Sequence, residues 1–340
     1  FKLYDTYGFP IDLTQDALRR DGYKVDITSF EKEMEKQKAE ARSSWKGSGE
    51  VEADEIWFEL YDLHGPTEFL GYSSEEAEGQ IVAIIKDGAL EGEAGKGEEV
   101  LILFNQTPFY AESGGQEGDK GSIYGDEFVV KVGDTTKRLG GLHIHHGLVE
   151  EGTIRVQTSV KLLVNSDRRG CLRAHHSATH MLHSALRSKL GQHVVQKGSL
   201  VAEDRLRFDF SHPNPISLEH LYEIEREVNQ QIVGNTAVAT RLMSPEEAID
   251  EGALALFGEK YTEEVRVVGI GDVQGNAYST ELCGGTHVNR TGDIGQFKLL
   301  SESGVSAGIR RIEAVVGLAA NLHTNSIQNS LNEVAALLKV

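Results

Sequence analysis

Short apolar runs alternate with polar residues and glycines through residues 56–160, a pattern typical of β-strands joined by tight turns. Seventeen of the chain's 37 glycines lie in residues 61–160. The apolar runs read GQIVAIIKDG, EEVLILFNQ, GSIYGDEFVVKVGD and TIRVQTSVKLLV. This spacing predicts a small β-barrel or sandwich. Between these runs lies TPFYAESGGQEGDKGSI, and we interpret Gly114, Gly115, Gly118 and Gly121 there as barrel turns with positive φ.

Outside this region the apolar positions follow a helical period or a mixed pattern. We predict helices at residues 1–47, 172–190, 217–233 and 318–340, with Gly191 ending the second. Residues 199–212 and 294–317 alternate as strands, and Lys46–Glu55 has the composition of a linker. The predicted fold class is therefore α+β: an N-terminal helical segment, a glycine-rich β-barrel, an α+β core and a C-terminal helix.

Length and composition narrow the class of protein. A chain of 340 residues is long enough for two or three domains. It has no apolar run of about 18 residues, so we expect no membrane span. Its two cysteines, Cys171 and Cys283, cannot form a disulfide framework, and we expect a reducing, cytoplasmic location. The chain opens without Met or a signal peptide, so we expect it to be a piece of a longer protein.

The charge is strongly acidic overall but locally reversed. The formal net charge of −19 argues against nonspecific binding to nucleic acid. Residues 161–200 nevertheless carry seven basic residues and one acidic residue. We call residues 161–200 the basic island. If the chain binds an anionic partner, we expect the contact there.

The basic island also contains RAHHSATHMLH, Arg173 to His183, which holds four histidines. On a helix, His176, His180 and His183 fall within about 60° of one another, opposite the apolar stripe, whereas His175 lies on the flank of that stripe. Histidines at i and i+4 lie one turn apart, so His176 and His180 can reach one metal ion. The plainer alternative is a surface helix that carries these histidines by chance.

A second pair of metal-binding side chains lies far downstream. Cys283 and His287 are separated by Gly-Gly-Thr, which permits a tight bend around an ion. Together with His176 and His180 they make a candidate tetrahedral zinc set. The helix lacks the Glu of H-E-x-x-H proteases, and the deaminase signature is absent too. The sequence leaves open whether the zinc is closed and structural or takes part in chemistry.

Five separated stretches, in order along the whole chain, resemble the alanyl-tRNA synthetase family. They are FKLYDTYGFPIDLT, TPFYAESGGQEGDKG, HHSATHMLHSAL, GQHVVQKGSLV and STELCGGTHVNRTGDIGQFKLLSESGVSAGIRRIEAVVG. One departure is His175, where the family usually has Asn. Because His175 lies off the predicted metal face, we expect it to pack rather than to bind metal.

The resemblance implies a domain plan. Residues 1–55 would be the end of a helical tRNA-recognition module, and 56–165 the β-barrel. Residues 166–320 would be an editing core similar to the second additional domain of threonyl-tRNA synthetase. Residues 321–340 would begin a linker helix toward a missing C-terminal oligomerisation domain. The ligase domain, with its ATP and Mg²⁺, would also be missing.

The implied activity is hydrolysis of the mischarged esters Ser-tRNA(Ala) and Gly-tRNA(Ala). His176, His180, Cys283 and His287 match the family's zinc ligands, one Zn²⁺ per chain. Gln196 would orient water or the ester, and Thr179 would contact a serine hydroxyl or restrict the pocket. Simpler roles for these two side chains are a loop hydrogen bond and a bond back to the helix backbone.

The implied partner is the acceptor end of tRNA(Ala). Basic residues that would meet its phosphates, or else serve only as surface charges, are Arg168, Arg169, Arg173, Lys197, Arg310 and Arg311. Two other functions stay open: a non-catalytic tRNA-binding module with structural zinc, and an editing domain of the threonyl type. ELCGGTHV, in place of a turn containing proline, disfavours the second of these.

Overall fold

A computed structural model describes residues 25, 26, 29, 30, 51–254, 264–271 and 277–338. The chain divides into two units, Phe1–Ile56 and Trp57–Val340, and apart from residues 51–56 everything discussed below lies in the second. The helices expected within residues 1–47 lie almost entirely outside the described residues. Helix α1, Val51–His64, begins inside the stretch predicted to be a linker. That prediction was wrong from residue 51 onward, where the sequence has no further glycine or proline until Gly65 to interrupt a helix.

Six antiparallel strands close into a barrel. In order around it they are β2 (Glu76–Lys86), β5 (Glu99–Phe104), β9 (Leu142–Glu151), β8 (Val129–Arg138), β7 (Gly121–Tyr124) and β11 (Ser159–Val164), with β11 pairing back onto β2. The strands alternate buried and exposed positions, and Ile81, Ile102, Phe104 and Ile123 are among the fully buried residues of the interior. A barrel, and not a sandwich, is therefore the architecture of this region.

Short strands complete the barrel region. β1 (Glu68–Phe69) pairs in parallel with β6 (Gln106–Thr107). β3 (Ala89–Glu91) pairs antiparallel with the end of β2, and β4 (Glu93–Gly95) pairs antiparallel with β10 (Thr153–Arg155). Gly114 and Gly115 have positive φ, as expected, whereas Gly118 and Gly121 do not. The last two are needed for close packing: a Cβ at Gly118 would lie 2.0 Å from the Thr135 carbonyl oxygen.

The α+β core is built around helix α2, Ser166–Leu190. It starts six residues before the predicted position because the Asn165 side chain caps it, accepting a hydrogen bond from Arg168 N–H at 3.0 Å. It ends before Gly191, as predicted. Helix α3, Leu218–Val233, starts after the predicted capping residue Ser217. These two helices and the sheet beside them share one apolar interior that contains Leu182, Phe208, Val228 and Phe297.

Two antiparallel sheets accompany these helices. The first has the order β12 (Gln196–Val201), β13 (Leu206–Ser211), β18 (Ile309–Val316) and β17 (Phe297–Ser306). The second contains β14 (Val238–Met243), β15 (Val265–Ile270) and β16 (Ser279–Leu282). Helix α4, Pro245–Asp250, and a 3₁₀ turn, Thr291–Ile294, lie between strands, and helix α5, Gly317–Leu338, ends the described chain. None of the described helices has the length and apolar content needed to span a membrane.

A buried ion pair joins the barrel to the start of α2. The fully buried guanidinium of Arg169 binds the carboxylate of Asp119 and donates to the carbonyl oxygens of Gly71 and Pro108 at 2.8 and 2.7 Å. Arg168 donates to Gly118 O at 2.7 Å and to Glu117 Oε2 at 2.6 Å. These two arginines were expected at tRNA phosphates. Burial and these partners assign them instead to the contact between barrel and core.

Candidate metal centre

The two histidine and cysteine pairs meet at one point. His176 and His180 project from the middle of α2, and Cys283 and His287 come from the turn that follows β16. One ligand atom from each of the four residues lies within 4.8 Å of all the others. Cys283 Sγ lies 3.4 Å from His176 Nε2 and 3.3 Å from His287 Nε2. These separations are close to the distance of about 3.5 Å between nitrogen and sulfur ligands on a tetrahedral zinc ion.

The Cys283–His287 turn is shaped by glycine. Gly285 packs directly beneath the imidazole of His176, where an added Cβ would lie 2.0 Å from the ring atom Cε1. The Gly285 N–H donates to Cys283 Sγ at 3.3 Å. Arg266 donates to the carbonyl oxygens of Cys283 and Gly285 at 3.0 and 2.8 Å. The turn is thus held from both sides, with the thiol directed at the histidines.

The far side of each candidate ligand histidine is occupied by an oxygen atom. His176 Nδ1 lies 2.7 Å from Gln116 Oε1, and His180 Nδ1 lies 2.7 Å from Glu281 Oε2. His287 Nδ1 lies 3.1 Å from Ser177 Oγ. When Nδ1 carries the proton, Nε2 keeps the lone pair that binds a metal. The donor set therefore fits Zn²⁺ in atom type, in spacing and in the partners around it.

The charges at this point favour an anionic sulfur. Burial raises the pKa of the Cys283 thiol, but the neighbouring His176, His287 and His180 outweigh it and hold the pKa well below its ordinary value. Burial likewise raises the pKa of Glu281, and His180 and His183 outweigh it, so this carboxyl stays ionised. A thiolate with three imidazoles is a donor set that zinc prefers.

The other two histidines of the helix have different surroundings. His175 is buried, its Nδ1–H donates to Cys171 O at 3.0 Å, and its Nε2 accepts from Val316 N–H at 3.4 Å. Its expected packing role is confirmed. His183 donates from Nδ1 to Glu281 Oε1 at 2.9 Å, while its buried Nε2 has no hydrogen-bond partner within the described part of the chain. The polar face of α2 is therefore interior, and the interpretation as a surface helix was wrong.

The cluster opens onto a cavity of about 610 Å³ between the core and the barrel. Such a volume lies within the range of about 300–1,000 Å³ for sites that hold a small organic ligand. Thr179, His183 and Gln196 line it on the core side. The lining on the barrel side includes Phe69, Tyr72, Tyr110, Lys137 and His143.

The two predicted substrate contacts both lie in this cavity. The Thr179 hydroxyl donates to His175 O at 2.9 Å, which is the bond back to the helix backbone considered above, and its oxygen keeps lone pairs that can accept. Gln196 is the first residue of β12, and no described residue hydrogen-bonds its side-chain amide. The amide is therefore free to meet a ligand.

The remaining basic candidates are mostly paired. Arg310 and Arg311 bind Glu302 and Asp209 through two nitrogens each. Arg173 pairs with Glu75. Lys197 is exposed and forms no ion pair with a described residue. Of the six basic candidates, Lys197 is thus the freest to meet a phosphate.

Sequence reasoning missed the residues that hold the ligands. Gln116, Glu281 and Ser177 each touch a ligand histidine, and Arg266 holds the cysteine turn. Gln116, Ser177 and Glu281 lie in stretches that stood out in the sequence, whereas Arg266 does not. The contacts of all four gave no local signal, because their partners are more than 15 residues away along the chain.

Comparison with known proteins covers the whole chain. A family model described as class II (A) tRNA synthetases matches residues 1–168, and one described as the threonyl and alanyl tRNA synthetase second additional domain matches residues 265–313. The chain is 55% identical over its full length to the alanine–tRNA ligase of Chelativorans sp. and 56% identical to that of Rhizobium meliloti. It spans 39% of the length of each of these relatives. At 55–56% identity over its full length, the chain belongs to the alanine–tRNA ligase family.

Proposed function

We propose that this chain hydrolyses the ester bond of Ser-tRNA(Ala) and Gly-tRNA(Ala) at a zinc site held by His176, His180, Cys283 and His287. The observation that carries the proposal is a four-donor cluster at the wall of a cavity large enough for a small ligand. The reaction has a physical motive. A pocket selective for alanine cannot strongly reject glycine, because a missing methyl is worth only about 1–3 kcal/mol, and it excludes an added hydroxyl poorly as well.

The cavity residues supply distinct functions. The Thr179 oxygen accepts a hydrogen bond from the hydroxyl of a bound serine, since its own proton is committed to His175 O. The Gln196 amide donates to the ester carbonyl oxygen or orients the attacking water. When bound, zinc would supply Lewis-acid stabilisation of negative charge on the ester.

A second function is favoured by one observation. Four protein donors satisfy a tetrahedral ion completely, and closed sites of this kind are structural. On that alternative the chain is a non-catalytic tRNA-binding module. Its zinc would hold the cysteine turn against α2.

The proposed partners follow from the family. The acceptor end of tRNA(Ala) would enter the cavity, and Lys197, which is exposed and forms no ion pair with a described residue, would meet a phosphate. The whole protein would use ATP and Mg²⁺ to ligate alanine in a part not contained in this chain, act in the cytoplasm, and oligomerise through a C-terminal domain. A local, salt-sensitive contact fits the chain's net charge of −19.

The deciding experiment compares the 340-residue chain with Cys283→Ala and, as a matched control, Cys171→Ala at the exposed cysteine. Each is assayed for zinc content and for hydrolysis of Ser-tRNA(Ala), Gly-tRNA(Ala), correctly charged Ala-tRNA(Ala) and Ser-tRNA(Thr). We expect wild type and Cys171→Ala to bind one zinc and cleave the first two esters. Cys283→Ala should lose both properties.

Each other outcome has a clear meaning. Full hydrolysis by Cys283→Ala without zinc would contradict the metal assignment. Binding of tRNA by the wild type without any cleavage would favour the non-catalytic module. Preferred cleavage of Ser-tRNA(Thr) would favour the threonyl type of editing.

A further inference from the structure

The glycine-rich stretch of the barrel reaches the metal centre through one side chain. Gln116 follows the glycine pair in the connection between β6 and β7, and it is fully buried. Its Oε1 lies 2.7 Å from His176 Nδ1. The barrel thereby touches a metal ligand that belongs to the core.

The hydrogen bonds around Gln116 determine which way its amide points. Oε1 also accepts from the backbone N–H of Thr286 at 3.0 Å, and Nε2 donates to Thr286 Oγ1 at 2.9 Å. A backbone N–H can only donate, so the atom that faces it must be the amide oxygen. The same oxygen faces His176 Nδ1, which must therefore carry the proton. His176 Nε2 is left with its lone pair directed at Cys283 Sγ.

The loop that carries Gln116 is fixed on the core. Gly115 O accepts from Val201 N–H at 2.7 Å, and Glu117 N–H donates to Val201 O at 3.0 Å, so the loop lies along β12 like a short parallel strand. A Cβ at Gly115 would lie 2.5 Å from the Ser199 carbonyl oxygen, so only glycine permits this approach. Arg168 holds the next part of the loop through Gly118 O.

Both halves of the metal centre meet this one amide. Its oxygen holds His176 on α2, and its contacts with Thr286 hold the turn between Cys283 and His287. Because a glutamine is neutral, it orients the imidazole without adding charge, whereas the group beside His180 Nδ1 is a carboxylate, Glu281 Oε2 at 2.7 Å, which pairs with it by charge.

We propose that Gln116 is a positioning residue of the metal centre: its amide sets the tautomer of His176 and the placement of the cysteine turn, so that the barrel is part of the zinc site. The proposal rests on the zinc assignment above but not on hydrolysis. Groups in this position typically contribute about 10- to 100-fold to metal affinity.

The test measures zinc affinity of the 340-residue chain by competition with a chromophoric chelator. The variants are Gln116→Leu, which removes both polar atoms, Gln116→Asn, which shortens the side chain, and Gln116→Glu, which keeps the oxygen. Gln106→Leu is the control, since the Gln106 side chain donates to Glu78 O within the barrel, away from the metal centre. We expect Leu and Asn to weaken zinc binding about 10- to 100-fold. Glu should retain wild-type affinity or exceed it, and Gln106→Leu should leave it unchanged.

The results separate this proposal from the preceding one. Wild-type affinity in both Gln116→Leu and Gln116→Asn would overturn it, whatever the chain hydrolyses. A loss in all three variants, Glu included, would also overturn it, since the oxygen would then not be the group that matters. If Gln116→Leu fails to fold, the contrast between Asn and Glu decides. A wild type that binds no zinc at all would instead defeat the metal assignment itself.

Discussion

The barrel and the core both bury histidines, but among the described residues it is in the core that histidine nitrogens converge with other metal-binding atoms. His145, in β9, is fully buried, and both of its ring nitrogens have protein partners: Nε2 with Thr107 Oγ1 at 2.8 Å and Nδ1 with Ile102 O at 3.2 Å. His176 and His180 have oxygen partners at Nδ1, and their Nε2 atoms converge with Cys283 Sγ. A buried histidine is thus a core residue when both nitrogens are satisfied, and a candidate ligand when one is directed at other donors.

The largest effect should come from removing a ligand in the core. His180→Ala deletes a donor outright, so zinc affinity should fall by more than the factor of about 100 attributed to the loss of an outer partner. Chelator competition and zinc content measure this. Unchanged zinc binding in His180→Ala would mean that the convergence of the nitrogens has no role in metal binding.

The matched substitution in the barrel should affect stability alone. His145→Ala leaves a cavity and two unsatisfied partners, Thr107 and Ile102, so the free energy of unfolding should fall by about 2–4 kcal/mol. Urea denaturation measures the loss, and zinc affinity of the folded variant should equal that of the wild type. A weakened zinc site in this variant would break the distinction between the two regions.

The pH dependence of stability sharpens the same comparison. Burial, with a smaller contribution from His143, lowers the pKa of His145 from 6.5 to about 3. Between these two pH values His145 is protonated in the unfolded chain but neutral in the folded chain. The contribution of the buried neutral His145 to the free energy of unfolding is therefore fully present above about pH 6.5 and is lost as the pH falls toward 3. When the pH is lowered from about 7 to about 5, the free energy of unfolding of the wild type should fall by about 2 kcal/mol more than that of His145→Gln, because the amide of glutamine cannot titrate. Equal losses in urea denaturation would show that His145 does not contribute.

The smallest effect concerns exposed lysines in the two regions. Lys197 follows Gln196 at the cavity, whereas Lys96 lies between β4 and β5 of the barrel, and both are exposed. Lys197→Gln should weaken tRNA binding a few-fold and reduce the slope of log affinity against log salt by about 1. Lys96→Gln should change neither. Equal effects of the two substitutions would indicate attraction to overall charge rather than a contact.

Much of the fold was predictable because its signals are local. Glycine turns between apolar runs predicted the barrel, and the end of α2 at Leu190 follows from Gly191. The candidate ligands were also predictable, since two residues four apart on one short element approach one another in any fold that contains that element. The start of α2 was missed because it depends on the cap from Asn165, which lies before the apolar pattern begins.

What remained hidden depends on contacts between distant segments. In the sequence, Arg168 and Arg169 cannot be told from surface arginines. Their burial becomes visible only in the contacts of α2 with Gly118 and Asp119. Gln116 presented the same difficulty. Its role depends on a contact across 60 residues with His176, which no local pattern encodes.

The long sequence separations at the metal centre have a consequence for the order of folding. Gln116 and His176 are 60 residues apart, and His176 and Cys283 are 107 residues apart. Loops of this length close slowly compared with the formation of a helix or hairpin. During synthesis, Cys283 and His287 follow the barrel and α2, so the four candidate ligands are all present only after most of this chain has been made. Zinc uptake should therefore be a late step, and a kinetic marker that the barrel and the core have docked.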